Sequence, residues 1–191
     1  MARDAEATKR RIFEAATAEF AARGFAGARI DRIAKTAGAN KQLIYAYFGS
    51  KQQLFDAVIT ETVTRFLEEV PFDAEELPEF AVGAYDFFTT NPEIVRLGSW
   101  HTLELEVSEH HVEVIERAVG EHTRALKRAQ TQGLVDATLG AQELFALIVS
   151  IASAWAVATP EIAHLSRNDP RVRSRRRTAV REAVTRLVAP S

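Results

Sequence analysis

An all-α fold is predicted by three features of this 191-residue chain. Apolar residues recur at helical spacing nearly everywhere. Gly24, Gly38, Pro71, Asn91-Pro92, Gly133 and Asp169-Pro170 punctuate those stretches at their ends. No repeat with a period of roughly 20 to 50 residues and no low-complexity tract points to a solenoid or a disordered region. Nine helices and no strand are expected.

The first helix is expected over about Ala7 to Arg23, with Ile12, Phe13, Ala16 and Phe20 on one face and Gly24 as a left-handed stop. Ile30, Ile33, Ala34 and Ala37 fall at i, i+3, i+4 and i+7 and make a second, short helix, ended by Gly38. Asn40 is placed to cap a third, whose inward residues are Ile44 and Phe48. Ser50-Lys51-Gln52-Gln53 is a capping box for a long fourth helix that Pro71 must terminate. Pro78 suits the first turn of the fifth, whose stripe is Phe80, Ala84, Phe87 and Phe88, and Asn91-Pro92 caps and opens the sixth. A seventh is expected from near Glu109 to near Gln132, closed by Gly133. LFALIVSIASAWAVA, 144–158, is apolar all round. It is shorter than the roughly 20 apolar residues that cross a bilayer and is expected to be a buried helix. Asp169-Pro170 opens the last helix, with Val180, Ala183, Val184, Leu187 and Val188 as its stripe.

Hydrophobic residues are 47% and charged residues 26% of the chain, which places it with folding globular proteins rather than disordered ones. Without cysteine there is no disulfide framework, thiolate nucleophile or cysteine-ligated zinc, and a reducing compartment fits. The opening MARDAEATKRR lacks the apolar segment of a signal peptide, so a cytoplasmic location is expected. The net charge of −2 hides an asymmetry. Residues 1–51 hold ten Lys or Arg against five acids, a net of +5, and the remainder holds fourteen against twenty-one, a net of −7. A basic head on an acidic body is the pattern of a polyanion-binding module joined to a part that does not bind one. An accident of surface composition gives the same count.

Two short helices joined by a tight glycine-containing turn, the second with polar and aromatic residues outward, make a helix-turn-helix. With Ile44 and Phe48 turned inward, Lys41, Gln42, Tyr45 and Tyr47 lie on or beside the outer face. Lysine and glutamine reach base edges in the major groove, and tyrosine hydroxyls donate to phosphates. The stretch GFAGARIDRIAKTAGANKQLIYAYFGSKQQLF resembles the DNA-binding signature of the TetR/AcrR family of transcriptional regulators, ungapped over roughly residues 7 to 60. Ile33-Ala34, Ala37-Gly38, Tyr45-x-x-Phe48, Ser50-Lys51 and Leu54 are in register. The resemblance implies that the third helix enters the major groove, that Tyr47 and Lys51 meet phosphates, and that Lys41, Gln42 and Tyr45 sit near bases or backbone. Arg29, Asn40 and Leu43 are added to the expected DNA-binding set, and the resemblance implies a helix-turn-helix domain over 1–50 with a ligand-sensing, dimerising domain over 51–191. The sequence departs from the family at Ala28, where a capping Thr or Ser usually opens the second helix, with Arg29 beside it as a substitute charge. Gln42-Leu43 also replaces a small pair, so no operator carries over from relatives. Leu43 either touches a thymine methyl or packs inward.

No G-x-S-x-G, phosphate-binding glycine loop or H-E-x-x-H occurs, so neither catalysis nor a cofactor nor a metal is expected. Glu161-Ile-Ala-His164 has one half of a di-iron pattern whose second half is missing, and the adjacent His110 and His111 diverge on a helix. Phe87, Phe88, Trp100, His101, Glu104, Phe145 and Trp155 have the makeup of a small-molecule site, although aromatics at helical spacing also simply fill cores. RVRSRRR, 171–177, reads as a solvated helix start. The expected partners are double-stranded operator DNA, a partly apolar small-molecule effector, and a second copy of the chain through the last two helices; no membrane is involved. The alternative is a helical adaptor whose basic head binds an acidic protein.

Overall fold

The computed structural model describes residues 2–104, 113–158 and 169–190. Among them are nine helices and no strand: α1 (Ala2–Gly27), α2 (Ile30–Ala37), α3 (Lys41–Phe48), α4 (Lys51–Glu69), α5 (Leu77–Thr90), α6 (Pro92–Glu104), α7 (Glu113–Thr131), α8 (Ala141–Val157) and α9 (Pro170–Val188). They pack as two units, residues 1–64 with 93–114 and residues 65–92 with 115–191. Where the sequence draws a border after residue 50, packing keeps most of α4 with the first unit and adds α6 to it. The Glu161–His164 pair and His110-His111 lie outside the described residues, as does the expected start of the seventh helix near Glu109.

In the first unit, α1 begins earlier than expected because nothing in its first residues breaks a helix, and Asp4 suits the positive N-terminal end. Ile12, Ala15, Ala16 and Phe20 of α1 are buried, as are Ile33, Ala34, Ala37 and Ile44 of α2 and α3 and Leu54, Phe55 and Val58 of α4. Phe55 meets Phe20 edge-on at 5.0 Å between ring centres and Phe25 at 5.4 Å. Gly24 interrupts α1 at φ 69°, ψ −179°, so the chain is not helical there and resumes for one short turn. That break turns the Phe25 and Ala26 N–H groups to the Glu104 carboxylate at the end of α6. Gly38, at φ 61°, ends α2 as expected, and Asn40 caps α3 by accepting from Leu43 N–H at 2.8 Å. Ser50 caps α4 by accepting from Gln53 N–H at 3.1 Å.

In the second unit, α5 packs on α8 and α9. Leu77, Phe80, Ala81, Ala84 and Tyr85 are buried with Leu144, Ile148 and Ala152 and with Val180 and Val184. Three expectations are corrected here. Asn91 does not open α6 with its side chain; its Nδ2 donates to Phe87 O at 2.8 Å and its Oδ1 accepts from Arg65, so it closes α5 instead. α8 is not buried all round, because α5 and α9 cover only the face of Ala141, Leu144, Ile148 and Ala152. Leu147 and Val157 on its other side are 42% and 59% exposed. The stripe of α9 does not wait for a second subunit: Val180 and Val184 are fully enclosed by their own chain, and only Ala183 of the five is open.

The 171–177 run is also less solvated than its composition indicates. Arg173 and Arg177 both pair with Asp86 of α5, at 3.0 and 3.3 Å, Arg181 pairs with Glu79 at 2.6 Å, and Arg176 is buried over the Trp155 ring. Glu79 is held below the ordinary glutamate value by its hydrogen bond from Arg181, with burial opposing and the charges of Arg181 and Arg177 reinforcing it. Arg173, Arg177 and Arg181 fasten α9 along α5, and Arg176 fastens it to α8.

Candidate nucleic-acid interface

The outward face of α3 is set by what its inward face must bury. Ile44 is enclosed, Leu43, Tyr47 and Phe48 are half-buried, and Lys41, Gln42, Tyr45 and Ala46 are exposed. Tyr45, at 45% exposure, is a large aromatic left on the surface of an otherwise well-filled unit. Asn40, directly before them, has its Oδ1 committed to the cap. Tyr47 rests edge-on against Phe48 at 6.5 Å. The structure thus gathers Lys41, Gln42, Tyr45 and Tyr47 on one short helix, with basic groups at its borders.

Two of the basic groups, Lys51 and Lys41, are already engaged within the protein. The Lys51 ammonium stands 4.7 Å from the centre of the Phe25 ring and reaches Ala26 O at 3.5 Å. Lys41 is ion-paired to Asp31 of α2. Arg29, not Ala28, occupies the N-cap position of α2, with extended backbone at φ −126°, ψ 127°, and its side chain makes no cap bond. Ala28 is buried instead.

Glu19 of α1 takes the N-cap N–H from outside the helix, as the glutamate of a capping box does. Its carboxylate accepts from Arg29 N–H at 3.0 Å and from Arg32 Nε at 2.6 Å, while Arg32 also donates to Gly27 O at 2.6 Å. Burial pushes the Glu19 carboxyl up, but the bonds from Arg32 and Arg29 and the charges of Arg32 and Arg23 together hold it below its ordinary 4.5. Glu19 was not among the candidates read from the sequence. Its signal is position, since it lies four residues after Ala15 and next to Phe20, at the edge of the buried face of α1. Glu19→Ala is expected to destabilise the first unit by about 2 kcal/mol, because charged hydrogen bonds are lost and a backbone donor is left bare. A depressed carboxylate stabilises the fold above its unfolded value and loses that contribution as pH falls through the folded one. The gap in urea midpoint between wild type and Glu19→Gln should therefore close as pH drops below 4.5.

The seven residues proposed from the sequence as an effector site do not collect within either unit. Trp100, His101 and Glu104 belong to the first, where Trp100 and Glu104 pack against Gly24 and His101 stacks on Phe55 at 6.4 Å. Phe87 and Phe88 of the second surround Phe66, at 5.2 and 5.4 Å. Phe145 joins Phe72, Phe80 and His122, and Trp155 meets Tyr85 edge-on at 5.9 Å. The sequence reading missed Phe72 and His122, whose rings stack at 4.1 Å. His122 shares the face of Ala118, Leu126 and Ala129, a polar residue in an apolar slot of α7, and that spacing was the available signal. Burial holds its imidazole below the ordinary 6.5 against the pull of Glu121, and its Nδ1, like the Thr123 hydroxyl, is buried with no hydrogen bond. A cleft of about 320 Å³ in the first unit, lined by Glu6, Lys9, Arg10, Phe13, Phe48 and Glu61, includes none of the seven. No helix among the described residues is long and apolar enough to cross a membrane.

Residues 12–58 match the family model for bacterial regulatory proteins of the tetR family, and residues 76–186 match the tetracyclin repressor-like C-terminal domain. The HTH-type transcriptional repressor SCO4008 of Streptomyces coelicolor is 42% identical over 163 residues, 84% of each chain. The HTH-type transcriptional repressor NicS of Pseudomonas putida is 31% identical over 103 residues, 50% of this chain and 49% of its own. The crystal structure of SCO4942 from Streptomyces coelicolor superposes with a TM-score of 0.83 at 36% identity, covering 96% of this chain and 99% of that one. FadR of Bacillus subtilis, solved with stearoyl-CoA, shares the fold at a TM-score of 0.67 and 18% identity, over 92% of this chain and 97% of its own.

Proposed function

This chain belongs to the TetR family of bacterial transcriptional regulators, and from that premise we propose that it is a homodimeric repressor whose residues 1–50 hold a palindromic operator and whose residues 51–191 release it on binding a small molecule. The observation that carries the DNA half is the exposed set Lys41, Gln42 and Tyr45, with the half-buried Tyr47 beside it, on a helix fixed by Ile44 and capped by Asn40. Arg29, Leu43 and Lys51 complete the surface. A helix of this kind fits the major groove, and a two-fold dimer sets two such helices about one DNA turn, roughly 34–36 Å, or a multiple of it apart. The effector must bind the DNA-incompetent arrangement more tightly than the competent one, since only a difference in affinity moves an equilibrium. Partly apolar chemistry suits the aromatic cluster around Phe66, Phe80, Phe87, Phe88 and Phe145, and the repressor names of the relatives support the sign of regulation. Work on DNA is in keeping with a cytoplasmic location and asks no catalysis of the protein.

Selection of random duplexes on the purified protein tests this reading and yields the operator. Tyr47→Phe should weaken all duplexes alike, by about 1 kcal/mol for a lost phosphate hydrogen bond. Gln42→Ala should instead change base preference, by about 1–3 kcal/mol at the position it reads. Equal, sequence-independent losses from both would mean that the reading face is elsewhere on the helix, and recovery of no consensus would remove the operator from the reading.

A further inference from the structure

The ion pair between Lys41 and Asp31 puts a carboxylate on the face that the proposed function assigns to DNA. Lys41 is the first residue of α3 and Asp31 the second of α2, and their side chains remain 58% and 64% exposed. An ion pair this exposed contributes little to stability, because water and salt screen it. An acid in the first turn of a helix is favourable by itself, which accounts for Asp31 being tolerated on α2 but not for its contact with Lys41. On a DNA-binding surface the same carboxylate acts twice. It neutralises the cation that would otherwise meet a phosphate or a base acceptor, and it presents negative charge to a polyanion.

We infer that Asp31 is a built-in competitor for DNA, a positioning residue that holds Lys41 in the free protein and must give it up when a duplex binds. The inference rests on the DNA-binding reading above. It assigns to Asp31 control of how strongly the head clings to any duplex, since non-specific affinity is almost wholly electrostatic. With Asp31 present, Lys41 adds no net charge to the surface. Without it the surface gains one phosphate-seeking cation.

The test compares wild type, Asp31→Asn, Lys41→Gln and the double variant on a random-sequence 30-base-pair duplex across a salt series, with circular dichroism confirming that each is folded. Asp31→Asn is expected to bind about tenfold more tightly at low salt, with the slope of log affinity against log salt steeper by about 0.9. In the Lys41→Gln background the same change should bring only a small gain, from the repulsion removed, because the cation it liberates is gone. A loss of helix stabilisation alone would not steepen the salt slope. Unchanged affinity and slope in Asp31→Asn, with wild type binding normally, overturns the inference and leaves the DNA-binding reading standing. A full gain that persists in the double variant also overturns it, since Asp31 would then act on DNA without Lys41. A wild type that retains no duplex at any salt overturns both.

Discussion

Val184→Glu is expected to collapse the second unit rather than merely separate two subunits. The side chain is 0% exposed and packed with Val180 against α5 and α8. A carboxylate there has no partner, and burying an unpaired charge belongs to the small set of mechanisms that cost about 4 kcal/mol or more. For a chain of this size that corresponds to a fall in melting temperature of about 10 °C or more. The informative control is Leu147→Glu, on the exposed side of α8, where the subunit itself loses little. If α8 and α9 pair with a second copy through their open faces, Leu147→Glu should sediment as a folded monomer with unchanged helicity. Val184→Glu should melt well below that monomer. Were Val184→Glu to yield a stable monomer melting with Leu147→Glu, the enclosure of Val184 within its own chain would be wrong.

Gly24→Ala is expected to produce the largest effect in the first unit. The position combines φ 69° with ψ −179°, backbone that costs other residues about 1–3 kcal/mol. A methyl group there would also come within 2.5 Å of Glu104 Oε1 and 2.8 Å of Trp100 Cε3. Glu104 can swing aside only by releasing the Phe25 and Ala26 N–H groups, and charged hydrogen bonds are worth about 1.5–3 kcal/mol each. The total is on the order of 4 kcal/mol. Gly38→Ala separates the backbone cost from the contact cost, because Gly38 has a positive φ of 61° and nothing near the added methyl. It should cost about 1 kcal/mol. Amide exchange at Phe25 and Ala26 should accelerate in Gly24→Ala alone. Equal costs at the two glycines would show that neither Trp100 nor Glu104 constrains the break.

Much of this architecture was legible because local rules and tertiary packing agree. Ile30, Ile33, Ala34 and Ala37 name the buried face of α2, Gly38 and Pro71 mark helix ends, and the caps at Asn40 and Asp169 are as read. The outward residues of α3 follow from its inward ones. The sequence is silent where a residue answers to a distant partner. Nothing local distinguishes Asn91 closing one helix from Asn91 opening the next; the proximity of Arg65 and Phe87 O decides it. An apolar stripe such as that of α9 records that it is covered but not by which chain. The pairing of Asp31 with Lys41 spans a turn, and the capping of α2 by Glu19 spans ten residues, so neither has a periodic signature.

That borrowed cap also bears on how this reading head changes over generations. At the opening of α2 the backbone N–H of Arg29 is held by a glutamate ten residues earlier, a contact that does not depend on the side chain at 29. Positions 19 and 32 are thereby linked as a set, through the carboxylate that also takes the backbone N–H of residue 29. A change at 19 weakens the head, and a serine or threonine at 29 does not replace it, because a cap hydroxyl accepts from the second or third helical N–H and leaves the residue-29 N–H and Arg32 without the carboxylate. Exchanging the recognition helix between relatives, by evolution or by design, leaves this set untouched, so new operators can be explored without renegotiating the scaffold beneath.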